Sequence, residues 1–322
     1  MWTIAASTVP LLAGCQGPQS ALDPASATAR ELARLWWVMS SVAGAVLVLV
    51  TGLWLYGLFR RPRRYDQHQA RRIQLRLVVG GGLLLPGVAV TALLVYGVNA
   101  ARGMLPVPLP GEAPLRIAVT GHQWWWEVRY PNGVVTANQL ILPTGRPVDI
   151  NVTSADVIHA FWVPSLGGKL DMVPGRQGVI RLQAEREGVF RGQCSEFCGT
   201  QHAHMILHVE AMAEEDFQSW LAVREAQTPE PAPGAAGELF AARCGLCHRV
   251  AGISDGQRAP DLTDLASRPT LGAGVIANDP TGLRRWLRDH QRLKPGNGMP
   301  DHDAMDDAML DALAVWLEGL AP

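Results

Sequence analysis

Cys194-Ser-Glu-Phe-Cys-Gly-Thr-Gln-His-Ala-His-Met205 brings two thiols, imidazoles and a thioether onto one short run. One loop can present Cys194, Cys198, His202 and Met205 together. Soft sulfur combined with imidazole suits copper. Zinc is the competitor, since Cys and His also build tetrahedral zinc sites. The methionine and the β-rich surroundings argue against zinc. A mononuclear blue-copper site takes one Cys, two His and a weak Met. Two cysteines here could instead bridge two copper ions. Leu115–Thr120, Val148–Thr153, Val179–Gln183 and Met205–Glu210 read as strands bounded by turn residues, which predicts an all-β sandwich around the run. Strand alternation would put His204 on the same side as His202 and His208.

Downstream, Cys244-Gly-Leu-Cys-His248 has the spacing of a c-type haem attachment site. Cys244 and Cys247 would form the thioethers, and His248 would supply the proximal nitrogen. A bare Cys-x-x-Cys also suits a thioredoxin-like pair, but the adjacent His and the predicted helices Glu238–Arg243, Thr281–His290 and Asp303–Leu320 favour haem. A methionine as second axial ligand raises the potential. Met299 lies in the loop Gly296-Asn-Gly-Met-Pro300, whereas Met305 and Met309 read as the core face of the last helix. Asp301, Asp303, Asp306, Asp307 and Asp311 suit either an acidic rim for a basic donor or acids at a helix N-terminus. The stretch Thr228-Pro-Glu-Pro-Ala-Pro-Gly-Ala-Ala-Gly237 reads as a semi-stiff spacer.

Upstream, the chain turns apolar. Of its 322 residues 48% are hydrophobic and only 18% charged, which points to a part in lipid. The net charge of -1 offers no basic field for nucleic acid. Leu35–Phe59 and Leu77–Ala101 carry no charge, and each reaches roughly 37 Å as a helix, enough to span a bilayer core with some tilt. Gly80-Gly81-Gly82 and Pro86 in the second run are tolerated where a neighbouring helix packs, so they mark a subunit contact. Arg60, Arg61, Arg63, Arg64, Arg71, Arg72 and Arg76 between the spans predict a cytoplasmic loop, with everything after the second span outside. Leu12-Ala13-Gly14-Cys15 reads as a lipobox ending a signal peptide at 1–14, with Cys15 as lipid anchor. The same orientation follows from it.

The copper-loop residues have company: Gly121-His-Gln-Trp-Trp-Trp126, Asp156-Val-Ile-His-Ala-Phe-Trp-Val-Pro-Ser165 and Asp171-Met-Val-Pro-Gly-Arg176. With these, residues 31–222 resemble subunit II of haem–copper cytochrome c oxidases. Residues 237–322, with Ala259-Pro-Asp-Leu262, resemble class I cytochrome c. The resemblance implies a multidomain fold: a two-helix transmembrane hairpin (30–102), an all-β cupredoxin sandwich (112–222), a linker (223–236) and an all-α cytochrome c domain (237–322). It implies a binuclear CuA centre of two coppers bridged by Cys194 and Cys198. His159 would bind one copper and His202 the other, with Met205 as a weak ligand and Glu196 through its backbone carbonyl. His204 and His208 would not be ligands. One covalent haem c would be held by Cys244, Cys247, His248 and Met299. Trp124 matches the family's aromatic patch where electrons enter, while Trp125 and Trp126 read as packing residues. Asp171 and the Glu196 side chain match the Mg/Mn-linked contact with subunit I, an optional further ion.

The implied activity is that of a cytochrome c oxidase subunit in a bacterial cytoplasmic membrane, with both redox domains on the periplasmic side. Electrons would pass from haem c to CuA and on to the haem a and CuB of subunit I, where oxygen is reduced; subunit III and a cytochrome c or other donor complete the partners. No catalytic residue is expected in this chain. The acid that many members carry at the start of the second span is missing from Leu77-Val-Val-Gly-Gly-Gly-Leu-Leu-Leu-Pro86. A stand-alone CuA protein is disfavoured by the two spans, a copper-free quinol-oxidase subunit by the intact ligand set, and a copper chaperone by the haem motif.

Overall fold

The computed structural model describes residues 15–60, 65–102, 105–107, 113–226 and 234–321. The signal peptide 1–14, Arg61, Arg63 and Arg64 of the basic loop, most of the 103–114 connector and 227–233 of the linker lie outside them. The chain divides into two compact units, one being Glu31–Leu105 and the other the remainder.

The smaller unit is helical. Helix α1 (Ala27–Phe59) starts where the Ser26 hydroxyl accepts from Ala29 N at 3.0 Å, an N-cap. Helix α2 (Gln67–Arg76) is capped by Asp66 through Gln69 N. It runs through a π-helical stretch, Leu77–Leu84, into α3 (Leu85–Arg102). Pro86 follows the π-helical stretch inside this continuous helix, so its missing N–H leaves a carbonyl of the preceding turn without its helical donor. Ala27–Phe59 and Gln67–Ala101 are both long and apolar enough to cross a membrane. Val48, Trp54 and Leu83 stand well exposed. Such a surface is matched by lipid rather than water. Thr91 and Asn99 donate back to the carbonyls of Gly87 and Val95, which lowers the cost of placing them in hydrocarbon. A side chain at Gly80, Gly81 or Gly82 would meet nothing within 4 Å, leaving that face open.

In the larger unit, ten strands form a sandwich: β1 (Leu115–His122), β2 (Trp125–Arg129), β3 (Val135–Ala137), β4 (Gln139–Pro143), β5 (Val148–Ser154), β6 (His159–Trp162), β7 (Lys169–Met172), β8 (Gly178–Leu182), β9 (Gly188–Cys194) and β10 (Ile206–Met212). One sheet runs β3-β2-β1-β5-β8, the other β4-β10-β9-β6-β7. Pairing is antiparallel except β1 with β5 and β10 with β4. Alternation drives it: Ile117 and Val119 of β1, and Leu207, Val209 and Ala211 of β10, are buried while their neighbours are not. Trp126, Phe161, Phe190 and Phe217 belong to its buried core. Each such side chain contributes about 1.5–3 kcal/mol by leaving water. Helix α4 (Glu214–Glu225) supplies Phe217 and Trp220, which pack on Tyr130.

The C-terminal part is built on α5 (Ala235–Arg243), α6 (Pro280–Leu293) and α7 (Asp307–Glu318). Asp279 caps α6 with Pro280 in its first turn, and Asp306 caps α7 through Met309 N. Phe240, Leu283, Leu287, Leu310, Leu313 and Leu317 form the core. Two short ribbons interrupt the helices, β11 (Arg249–Val250) with β12 (Ser254–Asp255) and β13 (Thr270–Leu271) with β14 (Ile276–Ala277). The last helix is shorter than the pattern suggests. Because Asp306 caps it, Met305 precedes α7 instead of lying on its core face.

Candidate metal centre and haem pocket

Cys194 is the last residue of β9, and its N–H donates to the Met205 carbonyl at 3.1 Å, closing the loop at its base. Strand β6 pairs with β9 in the register Phe161 to Cys194, which brings His159 alongside. The donor atoms then converge. Cys194 Sγ lies 3.7 Å from Cys198 Sγ and 3.8 Å from His159 Nδ1. Cys198 Sγ lies 3.6 Å from His202 Nδ1 and 3.9 Å from Met205 Sδ. The Glu196 carbonyl is 3.1 Å from Cys194 Sγ. His159, Cys194, Cys198 and Met205 are buried, and the first three form a set able to hold a metal ion. Two soft sulfurs flanked on each side by an imidazole fit copper.

The two thiols share protons as a pair. The hydrogen bond from Cys198, with His159 behind it, holds Cys194 low, and the same bond raises Cys198. Burial lowers His159, but the bonds to Cys194 and Asp156 outweigh it and leave it raised. His202–His204 forms a 3-10 turn, so strand alternation does not apply there. His204 bonds Gln201 at 2.7 Å, and His208 faces Glu210. Neither joins the donor cluster.

Several supporting residues escaped the sequence reading. Asp156 Oδ1 lies 2.8 Å from His159 Nε2, while its Oδ2 accepts from Gln123 N at 2.7 Å. The Asp-x-x-His spacing was the available signal. The Cys198 carbonyl accepts from Gln123 Nε2 at 2.8 Å and from Trp124 Nε1 at 2.9 Å. Trp126 Nε1 bonds the Met205 carbonyl, and Trp125 stacks on His122. A Cβ at Gly121 would sit 3.0 Å from the His159 ring and press against it. Asp171 and Glu196 share one cation, Lys169, whose Nζ lies 3.9 and 4.0 Å from them.

In the haem-motif region, His248 Nδ1 lies 2.8 Å from the Pro260 carbonyl. That bond assigns the proton to Nδ1 and leaves Nε2 free as a ligand. Burial lowers His248, which keeps the imidazole neutral. Burial likewise raises Cys244 to about 11, and Cys247 adds to the shift. Met299 N donates to Asn297, and its carbonyl accepts from Gln291 at 2.7 Å. Both Met299 and Met305 pack against the core of this domain. A proximal imidazole with one nitrogen free, two thiols beside it and thioethers at the same core suit a covalent haem. Of the acids, Asp306 is a helix cap, and Asp307 and Asp311 pair with Arg288.

Family models match in two places: cytochrome c oxidase subunit II, periplasmic domain, at residues 133–212, and cytochrome c at 235–321. Cytochrome c oxidase subunit 2 of Alkalihalophilus pseudofirmus is 31% identical, covering 99% of this chain and 98% of that protein. The chain belongs to the cytochrome c oxidase subunit 2 family. The subunit 2 of Bacillus subtilis is 34% identical over 65% of this chain and 63% of its own length. The crystal structure of the periplasmic domain of subunit II of cytochrome oxidase (CoxB) of Bradyrhizobium japonicum is 33% identical and covers 36% of this chain and 97% of that one, with a TM-score of 0.35. As a subunit 2 with a cytochrome c domain, the chain is an electron-transfer component of an oxidase. Its two domains imply copper and haem c.

Proposed function

We propose that the chain relays single electrons from its own haem c to a binuclear CuA centre and then to subunit I, where oxygen is reduced to water. The approach of Cys194 and Cys198 to within 3.7 Å, each with an imidazole beside it, carries this reading. Cys194, Cys198, His159 and His202 would hold the two coppers, with Met205 as a weak donor and Glu196 offering its backbone carbonyl. Such a pair would supply one-electron exchange. The protein's part is rigidity: the loop is closed by the Cys194–Met205 backbone bond, and Asp156 holds the His159 ring. Fixed donors keep reorganisation small when the charge changes.

In the haem domain, Cys244 and Cys247 would attach the group, and His248 and Met299 would hold its iron. Trp124 is where electrons cross into the copper domain, supported by its indole bond to the Cys198 carbonyl. Asp171 and the Glu196 side chain form a contact with subunit I. An Mg or Mn ion there would compete with the Lys169 ammonium. Cys15 is a lipid anchor, and both redox domains (112–222 and 237–322) lie on the periplasmic side. Subunit III and a soluble cytochrome donor complete the assembly. The test is metal analysis with EPR on the purified chain. Two coppers sharing one unpaired electron and one covalent haem are expected; a single copper or zinc would overturn the relay.

A further inference from the structure

The cupredoxin and cytochrome domains meet around a buried ammonium. Lys294 follows α6 and is only 3% exposed. Its Nζ donates to the carbonyls of Trp124 at 2.7 Å, His204 at 2.8 Å and Gly272 at 2.6 Å. An ammonium has three N–H donors, so the cage satisfies it completely. Burying an ion costs far more than burying an amide unless it is bonded in this way. Two of the acceptors belong to the copper domain and flank the candidate centre. Trp124 already bonds the Cys198 carbonyl, and His204 lies between His202 and Met205. The third acceptor, Gly272, belongs to the turn between β13 and β14 of the cytochrome domain.

Other contacts surround the cage. Gln201 Nε2 donates to the Pro295 carbonyl at 2.9 Å, and Ile206 N donates to the Ala273 carbonyl at 3.1 Å. Gly274 lies so close to Ile206 that a Cβ there would come within 2.7 Å of it. Arg224 of α4 pairs with Asp264 at 3.3 Å, both nearly inaccessible to solvent. Burial pushes Lys294 down to about 7. A neutral amine has only two N–H donors, however, and would leave one carbonyl of the cage unfilled, so the cage fits the charged form.

We propose that Lys294 is a positioning residue that clamps the cytochrome domain onto Trp124 and the Cys194–Met205 loop, so that the haem is docked at the copper centre instead of visiting it from the end of a tether. The inference rests on the relay proposed above. A tethered domain delivers electrons at a rate set by effective concentration, hence by linker length. A clamped one does not. Gln201 and Ile206 cross to the haem domain through uncharged hydrogen bonds, and the Arg224–Asp264 pair joins it to α4, not to the loop.

The experiment uses the purified oxidase complex carrying Lys294→Met, which keeps an unbranched apolar arm one atom shorter and removes all three donors. A photoreductant places one electron on the haem, and its arrival at the copper pair is followed optically; the iron loses one electron, the copper pair gains one, and no proton moves. Transfer at least tenfold slower than in the unsubstituted complex is expected, with kcat lowered. The KM for soluble reduced cytochrome c should stay unchanged, because Lys294 is out of reach of an outside partner. The Ile206 amide should lose hydrogen-exchange protection. Lys294→Gln, which returns two donors on a shorter arm, should fall between the two and serves if the methionine variant does not take up haem. An unaltered transfer rate with intact Ile206 protection overturns the clamp, as does a raised KM with kcat unchanged. Missing copper or haem in the unsubstituted complex overturns the relay itself, so the two failures are told apart.

Discussion

Asp156 Oδ1 stands 2.8 Å from His159 Nε2, and this bond turns the other ring nitrogen, Nδ1, towards Cys194. A carboxylate behind a ligating imidazole fixes its orientation and raises its basicity. The motif places the two residues one above the other only because β6 begins at His159, directly after the turn that holds Asp156.

Asp156→Asn should therefore keep the fold and the copper signal but weaken copper retention by roughly 10–100-fold. Copper loss against a graded chelator series checks this. Retention equal to that of the unsubstituted protein would remove Asp156 from the supporting shell.

Cys198→Ser should abolish the binuclear centre, because Cys198 is within reach of Cys194, His202 and Met205 at once. Met205→Leu should leave copper bound and shift its potential, since a weak axial thioether tunes the metal more than it holds it. EPR for the first variant and potentiometry for the second decide the matter; full copper loss in Met205→Leu would contradict the weak-ligand role.

Met299→Leu should lower the haem potential and alter its spectrum, as expected when a thioether ligand is lost. Met305→Leu should change neither, although both residues pack on the same core. The reverse outcome would transfer the axial role to Met305.

Leu313→Ala opens a cavity in the cytochrome core, where Leu313 is 1% exposed. It should destabilise that domain by about 2–5 kcal/mol. Denaturant unfolding followed at the haem band measures this. The copper signal should persist to higher denaturant than in a variant of the sandwich core such as Phe161→Ala.

Much of this architecture can be read in the linear chain because it is periodic or local. The uncharged runs fall within α1 and on the π-helical stretch with α3, while Arg71, Arg72 and Arg76 of the expected loop lie on helix α2, and four predicted strands fall on β1, β5, β8 and β10. The copper loop and the haem motif are likewise short stretches, so Cys194, Cys198, His202 and Met205, and Cys244, Cys247 and His248, stand out as candidates, whereas His159 and Met299 lie far along the chain from them. What could not be read depends on backbone detail or distance. His202–His204 coils into a 3-10 turn, so a period of two misplaces His204. Asp306 begins α7 late because its side chain caps the helix, and Met305 is left outside. Lys294 is invisible as a bridge, since its partners Trp124, His204 and Gly272 lie on three separate segments.

The π-helical stretch Leu77–Leu84 works as a phase adjuster for the second span. Its wider turns, marked by the Leu85 N–H reaching back to the Gly80 carbonyl, advance the chain by less than the roughly 100° per residue of an α-helix. The faces of α2 and α3 are therefore rotated against each other relative to one continuous α-helix. Removing one residue between Leu77 and Leu84 would let the stretch relax to α-helical winding with α3 still facing the same way, whereas the same deletion inside α3 would swing everything after it to a new face.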